Sequence, residues 1–221
     1  MIKVERTPTP PASLAIEKQK ASGSYTQPDV IKQLSQDFHN KCYLCEIVPP
    51  HGIEVEHLRP HGGNKDRKFD WDNLFLACTH CNSMKNQGKY HDMILDCCKV
   101  EPELVLDYQL AADGRVRICP SEQAPTEEAV LTADLLTACF EHTNTGIREQ
   151  ECKIRKDELS ITMNSLYKQL GDYQKTASNK SLRTLRGMLS RTYKFAGFTR
   201  AYVRAHLETY PDLAEYVQLQ S

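Results

Sequence analysis

Two cysteine pairs, "CYLC" at Cys42 to Cys45 and "CTHC" at Cys78 to Cys81, are separated by 32 residues and constrain this chain more than any other feature. Each Cys-x-x-Cys turn presents two thiolates to one ion at about 2.3 Å, and two such turns complete the tetrahedron that zinc prefers. With sulfur at all four corners, no coordination position remains for water or substrate. A zinc ion held by Cys42, Cys45, Cys78 and Cys81 is therefore expected to be structural, pinning both ends of the loop between the pairs. The chain has nine cysteines, and an odd number argues against a complete framework of internal disulfides. Cys97, Cys98, Cys119, Cys139 and Cys152 lack a repeated ligand spacing and read as small core or surface residues.

The 221 residues suffice for one large domain or two small ones, each with a real core. No apolar run approaches the roughly 20 residues that span a bilayer, and "MIKVERTPTPP" lacks the apolar centre of a secretion signal, so no membrane association and a cytoplasmic location are expected. The fold class reads as α+β: a zinc-stapled module, a β-hairpin and a mainly helical C-terminal half. Residues 1–27, rich in turn formers, read as an N-terminal arm with one short helix near Ser13 to Lys20. "PDVIKQLSQDF" spaces Val30, Ile31, Leu34 and Phe38 as a helical face leading into the first cysteine pair, and opens a module at 28–98. Residues 99–125 form a hairpin connector, with an Asp113-Gly114 turn between two runs rich in Val, Leu, Ile and Tyr.

From 126 to 221 the pattern is helical. Thr126 followed by Glu127 and Glu128 is a helix start, and a second helix is expected from Ile147 to Ala177. The stretch from Lys180 to His206 holds seven Lys or Arg residues and no carboxylate, although the net charge of the whole chain is only −1. On one continuous helix, Lys180, Arg183, Arg186, Arg191 and Lys194 share a side opposite Leu182, Leu185, Met188 and Leu189. Such a basic face is expected to meet phosphate or an acidic partner surface.

Inside the loop bracketed by the cysteines, "VEHLRPHGG" sets Glu56 beside His57, ahead of Pro60, His61 and the Gly62-Gly63 pair. "FDWDNLFLACTHCNSMKN" adds Asn73, then Asn82 and Lys85 directly after the second pair. In these motifs, which cover about a fifth of the chain, the sequence resembles the HNH endonuclease family and its ββα-metal fold. That resemblance implies that His57 is the general base that deprotonates water. It implies that Glu56 and Asn82 are the protein ligands of one catalytic divalent ion, that Asn73 holds the base in register, and that Lys85 contacts phosphate. Many members carry histidine where Asn82 stands; an amide oxygen favours Mg²⁺ or Mn²⁺ over Zn²⁺ at the catalytic position.

Elementary chemistry suits these residues to the same task. Phosphodiester hydrolysis needs a nucleophile, neutralisation of charge on phosphorus and help for the leaving oxygen, the last two being what a hard divalent ion with oxygen ligands provides. An imidazole with an ordinary pKa near 6.5 accepts a proton at neutral pH. Of the other histidines, His61 is a weaker candidate for touching the scissile phosphate, His80 is expected to be exposed on the knuckle, and His91 has no supporting pattern.

The order "CYLCE", "VEHLRPH", "DWDNLFLACTHCN", then a hairpin with "DGR" and a helical C-terminal half, is similar to the HNH subunit of Septu-type and retron-associated anti-phage defence systems. This implies a separate ABC-type ATPase partner and, where the system is retron-associated, a retron reverse transcriptase and its nucleic acid. The chain itself has no GxxxxGK[ST] phosphate loop, so ATP would have to be bound by another subunit. The helical half is then expected to dock that subunit or nucleic acid, DNA or RNA. Two alternatives remain: a stand-alone restriction-type HNH endonuclease, for which no sequence-reading element is evident, and a non-catalytic zinc-knuckle module that binds nucleic acid or protein.

Overall fold

The computed structural model describes residues 1–49, 52–90, 92–122 and 125–218; His91 lies outside them. The first seven residues run extended, yet they belong to the core and not to a surface arm. Met1, Ile2 and Val4 are buried, the Val4 N–H donates to the Cys97 carbonyl, and the Trp71 indole N–H donates to the Thr7 carbonyl at 2.9 Å. An extended strip that makes isolated long-range contacts has no periodicity to read, which is why the sequence pattern there resembles a loose arm.

Helix α1 (Ala12–Gln19) and helix α2 (Pro28–Asp37) follow. Pro28 opens α2 at the position where a missing N–H costs nothing, and Val30, Leu34 and Phe38 are buried from it. Ile31, expected on the same face, is exposed. Strand β1 (Ile53–His57) pairs antiparallel with strand β2 (Leu74–Cys78), in a register that sets Glu56 against Phe75 and His57 against Leu74. The loop between them contains the single-turn helix α3 (Lys65–Lys68), which is capped by the Asn64 side chain accepting from the Arg67 N–H. Helix α4 (Thr79–Lys85) leaves β2 without a linker and folds back over the pair. Strand β2 is buried throughout, because α4 packs on one face of the pair and α2, with Phe38 against Phe75, covers β2 from the other.

The short helix α5 (Pro102–Val105) leads into strands β3 (Leu106–Leu110) and β4 (Val116–Pro120), the expected hairpin, with Asp113 and Gly114 at its turn. Helix α6 (Glu127–Glu141) starts at Thr126, whose hydroxyl accepts from the Ala129 N–H. Its Thr137 hydroxyl bonds both the N–H and the carbonyl of Ile118, fixing the hairpin onto the helix. Helix α7 (Gly146–Thr176) buries Cys152, Leu159, Met163, Leu166 and Leu170 along one stripe.

The basic stretch is not one helix. Helix α8 (Asn179–Met188) stops, and helix α9 (Ala196–Ala205) restarts after Phe195, a buried residue with left-handed backbone at φ 53°. Two tertiary contacts override the continuous pattern here. Phe195 packs against Phe140 of α6, and the buried Lys41 ammonium donates to the Arg191 carbonyl at 2.7 Å and the Tyr193 carbonyl at 2.9 Å. Those carbonyls, left without helical partners by the break, are satisfied by a residue 150 positions away. Helix α10 (Ala214–Val217) closes the fold.

One cluster of buried side chains runs from Met1 to Val217 and joins all these parts. A buried polar hub sits within it: the Glu46 carboxylate accepts from the Gly197 N–H at 3.1 Å and pairs with Lys41 at 3.4 Å. Gly197 is needed for that approach, because a Cβ there would stand 2.8 Å from Glu46 Oε1. Among the described residues, no helix is long and apolar enough to cross a membrane.

Candidate metal centre and active site

The two cysteine pairs converge. Cys42 and Cys45 arrive from the turn after α2, Cys78 ends β2 and Cys81 lies in α4; all are buried, and their four Sγ atoms lie within 4.8 Å of one another. The Cys45 and Cys78 sulfurs are 3.9 Å apart, close to the edge of a tetrahedron built on bonds of about 2.3 Å to zinc. Four soft donors with no oxygen among them fit zinc, and their burial excludes water from the sphere. Burial holds the Cys42, Cys45 and Cys81 thiols above their ordinary range. Cys78, hydrogen-bonded by the other three thiols and facing Arg155, is held low. The Arg155 guanidinium, from α7, donates to Cys78 Sγ at 3.1 Å and to Glu151. Arg155 thus brings a buried positive charge to the sulfurs from the helical half.

His80, between the second pair of cysteines, is buried and not exposed on a knuckle. Its Nε2 lies 3.1 Å from the Cys139 carbonyl, which only accepts, so the imidazole donates and ties α4 to α6. Of the remaining cysteines, Cys97, Cys139 and Cys152 are buried, and Cys98 and Cys119 are half-buried. Among the described residues none of these five belongs to a metal cluster.

At the other end of β1, a cleft of about 300 Å³ is lined by Tyr25, Glu56, His57, His61, Gly62, Asn82 and Asn86, among others. His57 Nε2 lies 3.0 Å from the Lys68 carbonyl. A carbonyl cannot donate, so Nε2 carries the proton and Nδ1 is the basic nitrogen of the neutral ring. Burial lowers the His57 pKa from the ordinary 6.5, against the opposing pull of the Lys68 carbonyl, so the ring is neutral at pH 7. Tyr25 meets its edge, with ring centroids 4.5 Å apart, and His61 stands 4.9 Å away on the other side.

Asn73 holds the loop that supplies that carbonyl. Its Oδ1 accepts from the Arg59 N–H at 2.8 Å, and its Nδ2 donates to the carbonyls of Arg59 at 2.8 Å and Arg67 at 3.3 Å. It therefore acts on the backbone and not on the imidazole. Gly62 and Gly63, at φ 52° and 82°, turn the chain through the left-handed region, where a side chain is strained. The turn brings the Gly63 N–H to His61 Nδ1 at 3.1 Å.

Glu56 is nearly buried, and burial raises its pKa although Lys85 opposes the shift. Lys85, expected on phosphate, is only 1% exposed; its ammonium donates to Glu56 Oε1 at 2.8 Å and to the His57 carbonyl at 2.9 Å. It pins the carboxylate from beneath the cleft instead of meeting a ligand. No hydrogen bond to Glu56 Oε2 is made among the described residues. Asn82 donates through Nδ2 to Glu54 Oε2 at 2.5 Å, and its Oδ1 accepts from Asn86. A carboxylate and an amide oxygen in one cleft are hard donors that fit Mg²⁺ or Mn²⁺.

The basic face is divided. Lys180, Arg183 and Arg186 are exposed on α8. Arg191 pairs with Glu101 at 2.5 Å and Glu103 at 3.8 Å, Lys194 with Glu158 at 2.8 Å, and Arg200 and Arg204 both with the buried Glu103. The run that lacks local carboxylates takes them from α5 and α7, so more than half of it is internal structure.

Sequence reasoning misses Glu54, Tyr25, Asn86, Arg155 and the Lys68 carbonyl. Glu54 is legible in principle, standing two residues before Glu56 on a strand of period two. Tyr25 and Arg155 come from segments far along the chain, and a backbone carbonyl has no sequence signal.

Residues 42–88 match the family model of the HNH endonuclease, and the match supports HNH family membership for this segment, about a fifth of the chain. No curated protein matches the chain. The matched segment begins at the first zinc-type cysteine and contains β1, β2, α4 and every residue of the cleft except Tyr25.

Proposed function

We propose that this chain is a metal-dependent endonuclease that hydrolyses phosphodiester bonds of nucleic acid in the cleft formed by Glu56, His57 and Asn82. The observation that carries this reading is the His57 tautomer: Nε2–H donates to the Lys68 carbonyl, which leaves Nδ1 as a base beside oxygen ligands. His57 removes a proton from water, the hydroxide oxygen bonds to phosphorus, and the bond from phosphorus to the 3′ oxygen breaks. A Mg²⁺ or Mn²⁺ ion held by Glu56 and Asn82 would supply Lewis-acid stabilisation of charge on the phosphoryl and leaving oxygens. Lys85 keeps Glu56 oriented, Asn73 keeps the Lys68 carbonyl in place, and the four-cysteine zinc centre fixes the far end of β2. His61, seated by the Gly63 N–H, faces the same cleft as a contact for the phosphate.

The narrower reading is that the nuclease is the effector of an anti-phage defence complex with a separate ABC-type ATPase. The similarity in the order of motifs supports it; with no phosphate-binding loop in this chain, any ATP that controls the nuclease would be bound by another subunit. The exposed Lys180, Arg183 and Arg186 on α8 offer a docking face for nucleic acid or that subunit.

The test incubates the zinc-loaded chain, alone and with the ATPase, with plasmid DNA and with total RNA in Mg²⁺ or Mn²⁺. His57→Ala is expected to lose about 10²- to 10⁴-fold in rate, the usual worth of a general base, with zinc content unchanged. Equal cleavage by wild type and variant would overturn the base assignment. Cleavage only with the ATPase would favour the complex, and cleavage without it the stand-alone enzyme.

A further inference from the structure

We infer that Glu54 is a positioning residue of the cleft, which fixes the end of the Asn82 amide that faces a bound metal ion. This rests on the reading of Asn82 as a metal ligand and extends it to a residue outside the acid-histidine pair.

Strand geometry supplies the first step. Side chains alternate across a strand, so Glu54 and Glu56 share the face of β1 over which α4 lies. Asn82 and Lys85, three positions apart on α4, answer them in turn: Lys85 donates to Glu56 at 2.8 Å and Asn82 donates to Glu54 at 2.5 Å. Two carboxylates thus meet two donors in a ladder, although only one of those donors carries a charge.

The amide supplies the second step. An asparagine side chain has a donor end and an acceptor end of nearly the same shape, whereas a carboxylate only accepts. Glu54 therefore selects the orientation with Nδ2 turned toward itself. Oδ1 is left on the opposite side, where it accepts from Asn86 at 3.1 Å. Asn82 and Asn86 both line the cleft of Glu56 and His57. Only the oxygen can ligate a cation; the reversed amide would present N–H dipoles to positive charge. Without Glu54 the orientation is left to Asn86, whose own amide can reverse together with that of Asn82.

Glu54 has no competing task. Among the described residues it forms no ion pair, and Asn82 is its one side-chain hydrogen-bond partner. It is half-buried, at the edge of a cavity of about 310 Å³ that shares Tyr25, Val55 and Asn82 with the catalytic cleft. A partner of this kind behind a metal ligand is generally worth 10- to 100-fold in affinity.

Mn²⁺ binding to the full, zinc-loaded chain, followed by the electron paramagnetic resonance signal of the free ion, tests the inference without cleavage. Glu54→Ala is expected to weaken Mn²⁺ binding about 10-fold or more. Glu54→Gln keeps an oxygen for Asn82 Nδ2 but no longer accepts only, so it is expected to recover part of the affinity that E54A loses. In a double-mutant cycle, E54A should add little to N82A, since its effect runs through that amide. Wild-type affinity in E54A, or a full additional loss in E54A/N82A, would overturn the positioning role, the second by making Glu54 a direct ligand. Unchanged Mn²⁺ binding in N82A and in Glu56→Gln would instead sink the metal-ligand reading on which the inference stands.

Discussion

The two ends of the β1–β2 pair are built on opposite plans. At one end four identical sulfurs, all buried, close around one point. At the other, a carboxylate, an imidazole and an amide line an open cleft, oriented by hydrogen bonds to Lys85, to the Lys68 carbonyl, and to Glu54 and Asn86. The closed end has the symmetry of a folding element, in which removing any one donor breaks the coordination. The open end has chemically unlike groups, as the proposed hydrolysis requires. One short hairpin can carry both ends because it does not stand alone: α2 and α4 pack on it, and the cysteine cluster ties the end of β2 to the turn after α2.

Breaking the closed end should have the largest effect. Structural zinc in small modules contributes roughly 10–16 kcal/mol of apparent binding free energy, which is folding free energy when the unfolded chain holds no site. Cys78→Ser is expected to lose zinc and the cooperative thermal transition together, measured by metal content and circular dichroism. In this fold the damage should pass into the helical half, because Cys78 is also the acceptor for the buried Arg155 of α7. A soluble, zinc-free and fully folded C78S protein would refute a structural role for the ion.

The open end can be sharpened by pH. Burial depresses the His57 pKa below 6.5, and a base is active only when unprotonated. The rate should therefore be flat near neutrality and fall as pH drops, with the midpoint of the acid limb below 6.5. Stability carries the same sign for this group: the folded state binds the proton less readily than the unfolded chain, so stability is lost as pH falls from the unfolded value through the lower folded one. An acid limb centred above 6.5 would mean that another group, or His57 in another environment, limits the reaction.

The contrast between the two ends is also the contrast between what the sequence makes legible and what it does not. Metal-type spacing is a local pattern, so Cys42, Cys45, Cys78 and Cys81 are readable, as are the Asp113-Gly114 turn and the starts of α6 and α7. Hidden features depend on partners distant in sequence. Lys85 looks like a surface lysine until Glu56 is brought over it; His80 looks exposed until α6 covers it. The break between α8 and α9 is invisible because apolar spacing continues through it, while the contacts that make the interruption favourable, from Lys41, Phe140, Thr199 and Arg200, form only in the folded chain.

That break yields the smallest predicted effect. Arg183 and Arg186 are exposed on α8, whereas Arg191 is committed to Glu101 and Glu103. Charge reversal at Arg183 and Arg186 should weaken binding to a polyanion several-fold at low salt, and should reduce the slope of log affinity against log salt by about 0.9 for each phosphate that is no longer neutralised. Thermal stability and zinc content should stay near wild type. Arg191→Glu should do the reverse, placing a third carboxylate beside Glu101 and Glu103 and lowering stability before it alters the salt slope. If reversal on α8 left binding unchanged across the salt series, its basic residues would be solvated surface, and substrate would have to be held by groups around the cleft.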